Sequence, residues 1–470
     1  MQKLFQSCYA MDQKCYTAYG LNEDILMEHA AQGMATYIQQ HVSKGSRILI
    51  VAGVGNNGAD GMVLARQLAG IYDVKLYVPF GVKSLMAQQQ FERTQKVGVC
   101  MVDTLEEADV IVDALFGAGL NRELDTSTQK LVEQMNLMEG LKIACDVPTG
   151  VGVDGRLMPL AFRADVTITM GALKEGLYLD EAKEVIGEVV CVDLGVSRSN
   201  YEDESNTFVL EASDLQLPSR KSKVTHKGTF GHAAVFCGEK EGAGIIAATA
   251  ASRFGAGLTT LIVHERVSPP PFLMHSTVVP KGVSALAIGM GLGGHFDTPF
   301  LQTNVVDSPL PIVLDADAFY NRLLLEVLHQ KERQVVLTPH PKEFVALWRE
   351  VSGEVVRVDE VQQYRFEMVR RFNEQFAHVT LLLKGANMLM AHQNRLYVNP
   401  LGGSNLSKGG SGDVLSGLIV ALLAQGYSGI DAAIYGSLAL TQAAALYRGA
   451  TYAMLPTDII DGVAMLENMV

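Results

Sequence analysis

Short apolar runs recur along these 470 residues, and nearly every one stops at Gly, Asp, His or Lys. Arg47–Ala52 (RILIVA), Val74–Val78, Ala108–Asp113 (ADVIVD), Leu141–Asp146 (LKIACD) and Asp165–Thr169 make a first series. His232–Phe236, Leu258–Val263, Ala285–Ile288, Pro311–Leu314, Gln334–Leu337 and Val379–Leu383 make a second. Continuous apolar runs of this length, alternating with helical stretches, mark strands covered on both faces, hence parallel sheets built from βαβ units. The expected fold class is α/β, with two doubly wound domains. The polar stretch Ser197–Asn206 (SRSNYEDESN) separates the two series and places a boundary at about 210, with a strand over Thr207–Leu210 that could belong to the second domain. The expected domains are 1–210 and 211–470. Ligands of such sheets bind beyond the carboxyl ends of the strands, where the polar punctuation falls.

Composition excludes several classes. Asp and Glu (51) outnumber Lys and Arg (38), a net charge of −13, which argues against a general nucleic-acid binder. The six cysteines form no CxxC and no zinc-spaced cluster with His, so reduced thiols of a cytoplasmic protein are expected. Met1–Ala10 lacks a signal pattern, and the apolar stretches are too short to predict a membrane span.

In the first half, Asn22–Gln39 predicts an amphipathic helix with Ile25, Leu26, His29, Met34 and Ile38 on roughly one side; Glu28 and His29 read as surface or cap residues. RILIVA runs into Gly53-Val54-Gly55-Asn56-Asn57-Gly58-Ala59-Asp60-Gly61, a G-x-G-x-x-G loop, with a helix expected from about Met62 to Leu68. The acidic residue that would hold a ribose is missing, because the next strand ends Tyr77-Val78-Pro79, and this disfavours an NAD-dependent dehydrogenase. The oxygens of Asn56, Asn57 and Asp60 could hold a hard cation or a ligand's polar edge; equally, they could only cap the helix and shape the turn. Asp60, Asp113 and Asp146 fall at or after successive strand ends, a recurrence that favours a site over three separate caps.

In the second half, Ser219–Gly228 carries Arg220, Lys221, Lys223 and Lys227, either a solvated arm or an electropositive rim for a phosphorylated ligand. The Ala-rich Ala243–Ser252 predicts a closely packed helix. Gly289–Gly294 (GMGLGG) is a second glycine loop. Asp315 and Asp317 could be an acid/base pair, a metal pair, or in one case a helix cap. His340 sits in a stiff turn between Pro339 and Pro341. Lys408-Gly409-Gly410-Ser411-Gly412-Asp413 leads into a helix, Val414–Gln425, with Val414, Leu415, Leu418, Ile419, Leu422 and Leu423 at apolar spacing. Asp413 would ordinarily be an N-cap. The GGSG run exceeds what a cap needs, so the reading adopted is a phosphate cradle with a carboxylate at its lip. No P-loop motif is present.

GVGNNGADG, DALFGAGLNRE and DVPTG together resemble the N-terminal epimerase domain of bifunctional NAD(P)H-hydrate repair enzymes. The resemblance covers roughly 1–210 and implies a Rossmann-like domain that binds NADHX and NADPHX, the hydrated cofactors. It implies substrate contacts from Asn56, Asn57, Gly58, Ala59 and Asp60, from Gly117, Ala118, Gly119, Leu120, Asn121, Arg122 and Glu123, and from Asp146, which would also be the acid/base. It implies K+ held near Asn57, Asp113 and Thr149. Ala59 departs from the family's usual Gly. HKGTFG, GMGLGG, LDADA, TPHPKEF, LLKGAN and SKGGSGD resemble, in order, the family's C-terminal dehydratase domain, of the ribokinase-like superfamily, over about 215–470. That implies a hydrate site lined by Ala256, Gly291, Gly293, His340 and Asp413. It also implies ADP or ATP, with Mg2+, held by Lys384, Gly385, Ala386, Asn387 and Met388 and by Lys408, Gly409, Gly410, Ser411 and Gly412. Met290 stands where Pro is usual. The resemblance implies epimerisation of R and S hydrates followed by nucleotide-dependent dehydration of the S form, in a chain that self-associates.

Three rivals are weighed against this. A ribokinase-like small-molecule kinase with an N-terminal regulatory ligand-binding domain would accumulate a phosphorylated product. A non-catalytic binding protein would not need Asp113, Asp146 and the Asn pair. A dehydrogenase lacks its ribose acid.

Overall fold

A computed structural model describes residues 1–264 and 267–467. The chain divides into two compact units: Lys3–Ser205, and Asn206–Val470 joined by Met1–Gln2.

The first unit is built on seven strands, all parallel, in the order Cys100–Val102, Asp73–Tyr77, Arg47–Ala52, Val110–Ala114, Leu141–Cys145, Val166–Met170, Glu188–Val192. The order reverses direction at Arg47–Ala52, so a crevice opens between the ends of Arg47–Ala52 and Val110–Ala114. Ile48 to Ala52 and Val110 to Ala114 are wholly buried, as expected of strands covered on both faces. Leu4 and Phe5 add a short parallel pair with Leu173 and Lys174.

Two expectations change here. The glycine stretch after RILIVA is not a long loop: the helix begins at Asn56 and runs to Leu68, so Asn56 to Gly61 are helical. Its glycines allow close packing. A side chain at 58 would meet Gly53 O at 2.0 Å, and one at 61 would meet Ala114 Cβ at 2.6 Å. The helix Glu23–His41 forms with Asn22 as its N-cap, accepting from Ile25 N, but Ile25 and His29 face solvent. The buried stripe is Leu26, Met27, Ala30, Ala31, Met34, Ala35 and Ile38.

The second unit repeats the architecture. Met274–Ser276, Leu258–Val263, His232–Cys237, Ala285–Ile288, Ile312–Leu314, Val335–Leu337 and Thr380–Leu383 are parallel, in that order. Met388–His392 and Arg395–Asn399 follow antiparallel, and Thr207–Val209 pairs with Arg395–Asn399 in parallel. The strand order turns at His232–Cys237, so a second crevice opens beside Ala285–Ile288.

The helix after the SKGGSGD stretch spans Ser411–Ala424, starting earlier than the apolar spacing suggests. It is not one-sided: every residue is buried except Gly412 and Asp413, the condition of a central core helix. It packs on Glu241–Arg253, the small-residue helix, and Gly417 lies against that helix's backbone. A methyl at 417 would sit 2.1 Å from Ala247 O, whereas one at 242 meets nothing within 4 Å. Gly417→Ala is expected to lower the stability of this unit by about 1–3 kcal/mol through overpacking. Gly242→Ala should raise it by up to ~1 kcal/mol through helix propensity. Thermal unfolding of the two variants should move in opposite directions; equal shifts would contradict the packing.

Candidate functional site

The first crevice holds a cavity of about 580 Å³. Its wall takes Asn56, Asn57 and Asp60 from the first helical turns, Gly117, Ala118, Gly119 and Leu120 from the loop after Val110–Ala114, and Asp146. Gly58 and Ala59 are buried behind the wall, and Asn121, Arg122 and Glu123 are exposed and outside it. Gly55, not Asn56 or Asn57, occupies the N-cap position and gives no side-chain cap bond. The capping reading of the Asn pair is therefore corrected: Asn56 Nδ2 donates to Glu23 Oε1 at 2.5 Å, and Asn57 Nδ2 is buried without a partner among the described residues.

Asp146 follows its strand directly at φ 69°, the left-handed region, which turns its carboxylate into the cavity. Lys174 Nζ donates to Asp146 Oδ1 at 2.6 Å, to Thr169 Oγ1 at 2.8 Å and to Met170 O at 3.1 Å. Burial alone would push the Asp146 carboxyl up. The Lys174 charge and hydrogen bond, with donations from Met170 N and Ala118 N, outweigh it and hold the group below the usual carboxylate range. Asp60 has the opposite fate: burial, with the charges of Asp146, Glu23 and Asp12, pushes it well up. A side chain at 117 would lie 2.8 Å from Asn57 Oδ1 and 3.2 Å from Asp146 Oδ2, so glycine there keeps both groups in reach of the cavity.

Asp113 and Thr149 sit at the sheet edge of the same crevice and are fully buried. Thr149 donates to Asp113 through Oγ1 (2.7 Å) and through its backbone N–H (2.7 Å), and Leu115 N adds a third bond. Burial still pushes Asp113 up to about 6. Among the described residues no three His, Cys, Asp or Glu side chains gather as metal ligands. The polar groups at Asp113 are instead its own carboxylate and the Thr149 hydroxyl, while the Asn57 amide lies on the cavity wall by Gly117. Oxygen donors of this kind are the type that a hard cation takes.

In the second unit, Lys384 Nζ donates to Asp315 Oδ1 at 2.8 Å and lies 3.7 Å from Glu343 Oε2. Ser416 Oγ donates to Asp315 Oδ2 at 2.7 Å. Asp315 and Asp317 are not a pair: Asp317 Oδ2 accepts from Gly293 N at 3.1 Å. Neither caps the helical turn Ala316–Tyr320 through its side chain, since Asp315 stands at the N-cap without a cap bond. His340 is the helix cap of Pro341–Ser352. Its Nδ1 accepts from Glu343 N, its own N–H donates to Glu343 Oε2, and Nε2 lies 3.1 Å from Glu343 Oε1.

Gly410, at φ 97°, takes the N-cap position of Ser411–Ala424. Asp413 is the third residue of that helix, not its cap, and its carboxylate has no hydrogen-bond partner in the chain among the described residues. Burial, then the charge of Asp315, with Lys384 opposing and Glu343 adding, pushes it up to about 6. Gly291 and Gly293 lie at the strand-order reversal against Lys240 and Glu239, and Ala256 is buried between Gly255 and Gly257. Lys408 stays apart from Lys384; its Nζ donates to Tyr452 O at 3.2 Å on the surface. In the basic stretch, Arg220 lies over the Phe230 ring at 4.4 Å and donates to Gly255 O at 3.3 Å, while Lys221 and Lys223 are exposed.

Two family models match. "NAD(P)H-hydrate dehydratase" covers residues 233–464, and "YjeF-related protein N-terminus" covers 23–176. A bifunctional NAD(P)H-hydrate repair enzyme of Helicobacter pylori is 39% identical over 99% of this chain and 100% of its own. The chain belongs to the bifunctional NAD(P)H-hydrate repair enzymes. A second member, from Coxiella burnetii, is 32% identical over 96% of each chain. Among solved structures, an ADP/ATP-dependent NAD(P)H-hydrate dehydratase from Bacillus subtilis, co-crystallised with ATP/Mg2+, matches at 25% identity and TM-score 0.44, covering 54% of this chain and 94% of that one.

In this repair enzyme three features escaped the sequence reading. Lys174 lies in a two-residue strand, Leu173–Lys174, too short to show periodicity. Arg365, 1% exposed, lies inside an ordinary helix, yet it donates to Leu383 O, Lys384 O and Asn387 O and so fixes the Lys384–Asn387 turn. Gly385 makes room for it: a side chain there would meet Arg365 Nη1 at 1.8 Å. Gln6, Ser7, Cys8, Tyr9 and Asp12 also line the first cavity, though nothing in their pattern marks them.

Lys174→Met would strand a buried carboxylate. The expected loss is about 3–5 kcal/mol near neutral pH. The loss should shrink as pH falls through the range where the stranded Asp146 takes up a proton, because protonation removes the variant's unpaired buried charge, while wild type keeps its ion pair until pH falls below the usual carboxylate range. Thermal melts of both proteins from about pH 4 to about pH 8 check this; a gap that stays constant would contradict it.

Proposed function

We propose that the N-terminal unit interconverts the R and S hydrates of NADH and NADPH, and that the C-terminal unit dehydrates the S hydrate to NAD(P)H with hydrolysis of ADP or ATP. The observation that carries this reading is the partnerless Asp413 carboxylate at the start of a buried helix, beside the Lys384–Asp315 pair.

Hydroxide is a poor leaving group. Phosphorylating the ring hydroxyl converts it into one that departs readily. Asp413, ionised above about pH 6, takes the hydroxyl proton. The first-turn amides after Gly410 have no acceptor within the helix and face the transferring phosphoryl group, with Lys384 adding charge. The nucleotide enters with its Mg2+, whose charge offsets that of the phosphates. Phosphate then leaves as the ring nitrogen's electron pair forms an iminium, and loss of a proton from the ring carbon next to the vacated one restores the dihydronicotinamide.

Epimerisation needs loss of the hydroxyl from one face and return of water to the other, hence an acid and a base. The two carboxyls of the first cavity are pushed apart as such a pair requires: Lys174 favours the ionised form of Asp146, and burial favours the protonated form of Asp60. Potassium would be held by Asn57, Asp113 and Thr149 and would supply fixed positive charge in an otherwise acidic crevice.

Asp413→Asn is expected to reduce dehydration by ~10²–10⁴-fold while leaving epimerisation intact; Asp146→Asn should do the reverse. Assays with separated R and S hydrates check both, and a variant that lost both activities together would contradict the division of labour. The rate of dehydration should fall as pH drops through about 6, where Asp413 takes up a proton; a profile flat through that range would remove Asp413 from the role of base.

A further inference from the structure

Asp315 is not itself among the residues assigned to nucleotide or hydrate, yet it is among the most enclosed charges of the described residues, 1% exposed just after Ile312–Leu314. Both of its oxygens are engaged by different elements: Oδ1 by Lys384 Nζ at 2.8 Å, from the turn after Thr380–Leu383, and Oδ2 by Ser416 Oγ at 2.7 Å, from the helix that carries Asp413. Ser416 is itself fully buried. Gly412 closes the arrangement. A Cβ at 412 would lie 3.4 Å from Lys384 Nζ and 3.9 Å from Asp315 Oδ2, ordinary contact distances that place the ammonium and the carboxylate against the first turn of this helix.

We propose that Asp315 is a positioning residue for dehydration: held in place by Ser416, it fixes the Lys384 ammonium beside the helix start and keeps that ammonium from collapsing onto Asp413. This rests on the reading of Asp413 as the base. A lone lysine next to a carboxylate would pair with it and make it a weak base. Two anions on Lys384, Asp315 at contact and Glu343 at 3.7 Å, occupy the ammonium instead and leave Asp413 unpaired. The charged groups facing Asp413 are Asp315 from the sheet, Lys384 from the following turn, and Glu343 from the helix capped by His340. Ser416, uncharged, sets only the orientation. The arrangement gives the site an ammonium that can meet a phosphoryl oxygen without quenching its own base.

The test is the pH profile of dehydration by the full chain, with S hydrate and ADP or ATP. Asp315→Asn should lower kcat at least tenfold and move the acidic limb to lower pH, because Lys384 then pairs with Asp413. Asp315→Glu should restore the limb to the wild-type position. An Asp315→Asn enzyme with reduced kcat and an unmoved limb would overturn the proposal, since a merely structural role predicts that result. Ser416→Ala guards against an Asp315→Asn chain that fails to fold: kcat should fall threefold or more with KM for the hydrate unchanged, and an unchanged kcat would overturn the proposal. Asp413→Asn, run in parallel, separates the two readings. If it dehydrates normally, the base assignment fails; if it is inactive while the Asp315→Asn limb is unmoved, only the positioning role fails.

Discussion

Each unit of this chain buries a lysine ammonium against an aspartate at the carboxyl end of a parallel sheet: Lys174 on Asp146 at 2.6 Å and Lys384 on Asp315 at 2.8 Å. A buried charge must be paired and hydrogen-bonded or it costs several kcal/mol. The pairing decides which other carboxyls stay free to react. In the first unit the ammonium keeps Asp146 ionised inside the cavity, while Asp60, without such a partner, is pushed up. In the second the ammonium is satisfied by Asp315, and Asp413 is left open. The same physical device thus serves opposite ends, supporting a reactive carboxylate in one unit and sparing one in the other.

The sheets make both arrangements possible. Strand order reverses at Arg47–Ala52 and again at His232–Cys237, and each reversal opens a crevice into which the succeeding loops project. Glycines lie where backbones must approach: Gly58 on Gly53 and Gly417 on Ala247. Larger side chains there would push the helices off the sheet before any chemistry was touched.

Much of this was legible in the sequence. The apolar runs mark the central strands of both sheets, though not Cys100–Val102, Glu188–Val192, Met274–Ser276, Met388–His392 or Arg395–Asn399; the runs' polar ends mark Asp113 and Asp146, and the glycine-rich stretch before a helix marks Asp413. What was not legible depends on partners distant in the chain. Lys174 reads as one lysine among many until Thr169, Met170 and Asp146 converge on it. Arg365 looks like a surface residue of a polar helix, but three carbonyls of the Leu383–Asn387 turn bury it. Asp315 and Asp317, two residues apart, suggest a pair, but backbone geometry sends them to different partners. The start of a helix was misplaced twice, at Asn56 and Ser411, because glycine-rich first turns look like loops when their glycines serve packing.

The central claim is that two differently poised carboxylate sites act in sequence on one damaged cofactor. It is tested most directly by giving the full chain pure R hydrate with ADP or ATP and following ring absorbance and free phosphate together. The account predicts complete recovery of the reduced cofactor with one phosphate released per ring restored. R hydrate that persists, or a phosphorylated product that accumulates in place of free phosphate, would contradict it.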